Sequence, residues 1–74
     1  MREKILEILQ DLRPELDFTE SNDFIEDGYL DSFDMIALVS QLDKNYGISI
    51  LGEDIIPENF SNIENIINTV KKYQ

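Results

Sequence analysis

Met35, Leu38, Val39, Leu42 and Tyr46 recur at steps of three and four residues, which places all of them on one side of an α-helix. A stripe of that length is stable only against other apolar surface, so the chain must supply partners for it. Two more segments repeat the pattern. Ile5, Ile8, Leu9 and Leu12 predict an amphipathic helix over about Arg2–Arg13, ended by Pro14, which pushes the residue before it out of helical geometry. Ile63, Ile66, Ile67 and Val70 predict a last helix, with Lys71 and Lys72 at its negative end. Only Ile48-Ser49-Ile50 alternates in the manner of a strand, and it is too short to found a sheet.

The helix ends are also written in the sequence. Asp31 or Ser32 can cap the central helix, Asp34 suits the positive end of its dipole, and Gly47 is a natural left-handed stop. Ser61 and Glu64 are spaced as a capping box for the last helix, with Phe60 just before it. Glu15 to Asp31 has no sustained period and reads as a long loop, pinned to the core by Leu16, Phe18, Phe24, Ile25 and Leu30. Asp54 to Asn59, containing Pro57, has room for one or two helical turns. The expected fold class is all-α: one domain over residues 1–74, a small bundle of three main helices plus one short helix, with a long loop between helices one and two.

The residue types narrow the chemistry. The chain has no Cys and no His, so disulfides, thiolate metal sites and the commonest general base are all missing. Sixteen acidic residues against six basic ones give a net charge of -10, which repels nucleic acid and anionic lipid and attracts basic protein surfaces. The charge is one-sided. Between Pro14 and Asp43 there is no Lys or Arg, while nine acidic residues fall there: Glu15, Asp17, Glu20, Asp23, Glu26, Asp27, Asp31, Asp34 and Asp43. A solvated acidic face would explain this, and so would a docking surface for basic partners. The N-terminus lacks the apolar core of a signal peptide and no apolar run could span a membrane, so a cytoplasmic protein is expected.

One phrase stands where the acidic loop enters the central helix: Asp27-Gly28-Tyr29-Leu30-Asp31-Ser32-Phe33-Asp34. A Ser at a helix N-terminus is ordinarily a cap. The same position also suits a phosphate ester, because the free N–H groups and the dipole stabilise an anion there. Two other readings use the carboxylates. Asp23, Asp27, Gly28, Asp31 and Asp34 fall at the first, fifth, sixth, ninth and twelfth places of a calcium-binding helix–loop–helix, although Ile25 takes the third ligand place and the twelfth is a short Asp. Asp31 and Asp34, one turn apart, could alternatively form a carboxylate pair.

Taken together, the length, the acidity, the order of helices, the Asp31-Ser32-Phe33 triplet and the Leu38-Val39-Leu42-Tyr46-Gly47 stripe resemble the acyl carrier and peptidyl carrier protein family. Gly28, Ile48, Ile50 and the Pro57-Glu58-Asn59-Phe60 lead extend that resemblance over essentially the whole chain. It implies a protein with no catalysis of its own. Ser32 would receive covalent 4'-phosphopantetheine from Mg-bound coenzyme A through a phosphopantetheinyl transferase, with Asp31 in the attachment motif. Cargo would be loaded by a ligase or adenylating enzyme, held as a thioester, and delivered to downstream acyl- or aminoacyl-transferring enzymes. The resemblance assigns Phe33, Asp34, Ile36, Ala37, Ser40 and Ile50 to a partner-facing surface. The charge and the short apolar runs already speak against nucleic acid and a membrane span, no metal site is expected, and serial docking with several enzymes suits a monomer. Ala37 and Ser40 replace the Glu and Met common in fatty-acid carriers, and the Gly-Gly-x-Ser spacing of modular peptide synthetases is absent. Leu30-Asp31-Ser32-Phe33 and Pro57-Glu58-Asn59-Phe60 look closer to free-standing aminoacyl carriers such as D-alanyl carrier proteins. An unmodified carrier-like interaction module would share every feature except use of Ser32.

Overall fold

A computed structural model describes all of residues 1–74. Its elements are α1 (Arg2–Leu12), α2 (Ser32–Tyr46), two 3-10 turns (Gly52–Asp54 and Pro57–Phe60) and α3 (Ile63–Lys72). The chain is all-helical, as its periodicity predicts. The one or two helical turns expected near Pro57 are two separate 3-10 turns, Gly52–Asp54 and Pro57–Phe60. Proline forces the residue before it into extended geometry, and Ile56 accordingly sits at φ -124, ψ 151 and breaks the run.

Helix ends follow local chemistry. α1 stops one residue earlier than expected, with Arg13 at φ -135, ψ 76 ahead of Pro14 and its N–H donating to the Leu9 carbonyl. α2 stops at Gly47, whose φ of 63 is left-handed and whose N–H closes on the Asp43 carbonyl. The cap of α3 is displaced by one residue from the expected Ser61. Ser61 still belongs to the preceding turn, and its hydroxyl donates to the Glu58 carbonyl. Asn62 is extended and caps α3 by accepting from the Asn65 N–H at 2.8 Å. Glu64 is thereby released to pair with Arg2 at 2.9 Å, tying the first turn of α3 to that of α1.

Fifteen apolar residues from every part of the chain form one core. α1 contributes Ile5, Ile8 and Leu9; α2 contributes Met35, Leu38, Val39 and Leu42; α3 contributes Ile63, Ile66 and Val70. The long loop adds Phe18, Phe24 and Leu30, all buried, so it is bound to the core rather than draped over it. Phe18 meets Phe24 edge-on at 5.0 Å, and Tyr29 stacks along Phe24 at 6.4 Å. The backbone of Phe24 is equally committed. Its N–H donates to the Ser61 carbonyl at 2.6 Å, and its carbonyl accepts from Tyr29 and Leu30. These bonds satisfy polar groups that burial would otherwise strand.

The C-terminus is fastened by a polar cluster. The Tyr73 hydroxyl donates to the Asp54 carboxylate and accepts from the Leu51 N–H, while Lys72 Nζ reaches both Asp54 oxygens at 3.0 and 2.9 Å. The Tyr73 hydroxyl, then Lys72, hold the Asp54 carboxyl below its ordinary value, and Asp54 in turn raises Tyr73 and Lys72. The depressed Asp54 contributes stability above about pH 4 that is lost as pH falls through its folded value. The raised Tyr73 and Lys72 contribute below about pH 10, and that is lost as pH rises through theirs. Asp54→Asn should therefore return the Tyr73 phenol towards its ordinary ionisation and loosen residues 72–74. A tyrosine titration followed by NMR checks this, and an unchanged Tyr73 midpoint would refute it.

Candidate functional site

The site is built around the entrance of α2. Asp31 lies just outside the helix at φ -108, ψ -173, and its Oδ1 accepts from the Asp34 N–H at 2.9 Å. Asp34 Oδ2 accepts in return from the Asp31 N–H at 3.1 Å. This reciprocal box fixes the helix boundary, so that Ser32 is the first residue inside it. The Asp34 N–H, foremost, holds the Asp31 carboxyl below the usual carboxylate range against a weaker opposing effect of desolvation. Of the two residues able to cap α2, Asp31 does so, and the Ser32 hydroxyl is left exposed and uncommitted.

Beyond Ser32 the outward side of α2 carries two large apolar groups in water. Phe33 is 82% exposed and Ile36 60%. Ser40 is exposed and Ala37 half-buried beside them, on the side away from Met35, Leu38, Val39 and Leu42. Two residues expected on this surface are placed otherwise. Ile50 belongs to the core, because its N–H donates to Asp43 Oδ1 at 3.0 Å and folds the segment back against α2. In the extended run 48–51, side chains alternate, so Ile50 points in and Leu51 points out at 55% exposure. Continuing the alternation by one residue would have found Leu51. Asp34 is only 16% exposed in its side chain and is occupied by the capping box.

The remaining loop carboxylates do not converge. Asp23 Oδ1 accepts from the N–H groups of Ile25 and Glu26, and Asp27 accepts from the Ser21 hydroxyl at 2.6 Å. No group of three metal-ligating side chains comes together, so the calcium-loop spacing is resolved into separate turns and caps. The carboxylate pair of Asp31 and Asp34 is likewise spent on backbone N–H groups. The largest surface cleft, about 390 Å³, is lined by Asp54, Glu58, Asn59, Asn65, Asn68, Thr69 and Lys72, none of which belongs to the α2 entrance.

The sequence pattern gives Arg13 no role beyond the end of α1. In the structure its Nε lies 3.6 Å from Glu15 and 3.9 Å from Asp34 Oδ2, and that nitrogen is buried with no hydrogen-bond partner. The available signal was that Arg13 is the last cation before the Pro14–Asp43 stretch that has none.

An acyl-carrier-like helical bundle with an exposed hydroxyl opening its central helix defines a class of small carrier domain. Over residues 2–70 the chain matches the family model described as the phosphopantetheine attachment site, and it belongs to that family. Curated proteins and solved structures give no match. The family's cofactor is 4'-phosphopantetheine, attached covalently, and its domains are carriers rather than catalysts. No helix is long and apolar enough to cross a membrane.

Proposed function

We propose that Ser32 is the attachment residue, and that residues 1–74 act as a single carrier domain that delivers a thioester cargo to partner enzymes. The observation that carries this reading is the exposed Ser32 hydroxyl, which opens α2 while Asp31 takes over the capping. A hydroxyl engaged as a cap would have to break its bond to react. Here Asp31 and Asp34 hold the helix start rigid, so Ser32 is presented to a phosphopantetheinyl transferase at no cost to the fold. The N-terminus of α2 supports a phosphodiester through its dipole and free N–H groups. When bound, the arm supplies a terminal thiol that carries cargo as a thioester, activated for transfer and tethered at high local concentration.

The docking surface is read from exposure and charge together. Phe33 and Ile36 offer apolar contact next to Ser32. Exposed Glu15, Asp17, Glu20, Glu26, Asp27 and Asp31 place negative charge on the loop side. The outward face of α2 has no exposed carboxylate, since Asp34 and Asp43 both accept backbone N–H bonds. A partner with an apolar pocket for Phe33 and Ile36, and basic groups only towards the loop, complements this arrangement. Ala37 and Ser40, small and uncharged, favour an aminoacyl carrier of the D-alanyl type over a fatty-acyl one. The loading partner would then be an adenylating ligase, and the working protein a cytoplasmic monomer docking serially with its enzymes.

Incubating the protein with a broad-specificity phosphopantetheinyl transferase, coenzyme A and magnesium should add one phosphopantetheine to the intact mass. Peptide mapping should place it on Ser32 rather than on Ser21, Ser40, Ser49 or Ser61. No addition to the folded protein would leave an unmodified interaction module, served by the same exposed Phe33 and Ile36, as the better account.

A further inference from the structure

Attaching an arm at Ser32 adds a phosphodiester anion beside Asp31 and Asp34, where the chain is already acidic. Something must balance it. The helix terminus contributes, but the capping box already uses part of it. Among the six basic side chains, Arg2 is paired with Glu64 and Lys72 with Asp54, both at 2.9 Å. Lys44 stands twelve residues further along α2, roughly 18 Å from Ser32 by helical rise. Lys4 lines a cleft with Gln41 and Asn45 towards the far end of α2, Lys71 lies in the last turn of α3, and Arg13 alone stands within ion-pair range of the α2 cap.

Its present contacts leave it unsatisfied. Separations of 3.6 Å to Glu15 and 3.9 Å to Asp34 Oδ2 are ion pairs but lie beyond hydrogen-bond range. The buried Nε has no acceptor, and an unsatisfied donor of that kind is costly to leave so. Asp34 Oδ2, which Arg13 approaches, accepts from the Asp31 N–H, so the guanidinium lies beside the capping box that holds Ser32 at the start of α2. A guanidinium presents a planar fork of donors that matches the oxygens of a phosphate and binds them in pairs.

We infer that Arg13 is a positioning residue for the arm: its guanidinium takes the phosphodiester on Ser32 and fixes the direction in which the arm leaves the protein. This rests on Ser32 being the attachment residue. Arg13 then turns the accessible outer nitrogens of its guanidinium to the phosphate, a charge-assisted pair that its two loose carboxylate contacts do not provide. The base of the arm is held against the end of α1 instead of swinging freely from α2.

The chain has only two arginines, Arg2 and Arg13, so the Nε–H region of an NMR spectrum contains two signals, assignable with Arg13→Lys. On conversion from the apo to the arm-bearing protein, the Arg13 Nε–H should move and exchange more slowly with solvent, while that of Arg2 stays in place. Arg13→Gln should also lower the melting temperature of the arm-bearing protein by about 4 °C more than that of the apo protein, with Arg13→Lys intermediate. An Arg13 Nε–H signal indifferent to attachment, in a protein whose mass and peptide map show Ser32 loaded, would overturn the inference and leave the carrier reading intact. Absence of loading on Ser32 would remove both. The spectrum of the unsubstituted protein decides the matter even if an Arg13 variant folds poorly.

Discussion

Ser32→Ala is expected to take up no phosphopantetheine and to melt within about 2 °C of the unsubstituted protein, because alanine is the better helix former and the lost hydroxyl caps nothing. Asp31→Ala should behave in the opposite way. It removes the acceptor for the Asp34 N–H and dissolves the reciprocal box, so the melting temperature should fall by about 5 °C. Its Ser32 hydroxyl remains, and loading should continue at a reduced rate as the first turn of α2 frays. Calorimetry and intact mass on the same two variants separate the roles. Loading of Ser32→Ala at another serine would sink the assignment. A large loss of stability in Ser32→Ala would mean that Ser32, not Asp31, holds the helix.

Those two roles could not be separated from the sequence, because Asp31 and Ser32 are both good caps and the boundary is decided by one hydrogen bond. Features set by many residues at once were far more legible. The stripe from Met35 to Leu42 placed α2, and Pro14 and Gly47 placed helix ends to within a residue. Phe18, Phe24 and Leu30 marked where the long loop meets the core. What escaped depended on contacts between distant segments or on single backbone angles. Ser61 resembled a cap until the turn before it claimed its hydroxyl, and Asn62 took the position. Ile50, set on the surface by the family resemblance alone, is buried with its backbone held by Asp43, and the exposed place passes to Leu51, as the local alternation already indicates. Arg13 and Asp34 are twenty-one residues apart, and no local pattern brings them together. The family was legible because it is carried by the whole arrangement, and the family model spans residues 2–70.

Two phenylalanines on either side of Ser32 should respond oppositely to truncation. Phe24 is fully buried against Phe18 and Tyr29, and its backbone ties the loop to the lead of α3. Phe24→Ala should cost about 3–5 kcal/mol. A domain of this size has about 4–11 kcal/mol in all, so the variant should be near its unfolding midpoint or past it. Phe24→Leu, which refills part of the space, should recover much of the loss. Phe33 is 82% exposed, and its removal should leave stability unchanged. Urea unfolding of the three variants tests this directly. The contrast bears on function, because the loop that Phe24 anchors ends at Asp31. If it detaches, the cap goes with it, and loading should fall in step with the folded fraction. Phe33→Ala should instead fold fully, accept the arm normally and fail at transfer to a partner enzyme. If Phe33→Ala unfolds the protein, or Phe24→Ala is harmless, then the division between residues that hold the α2 entrance and residues that present it is wrong.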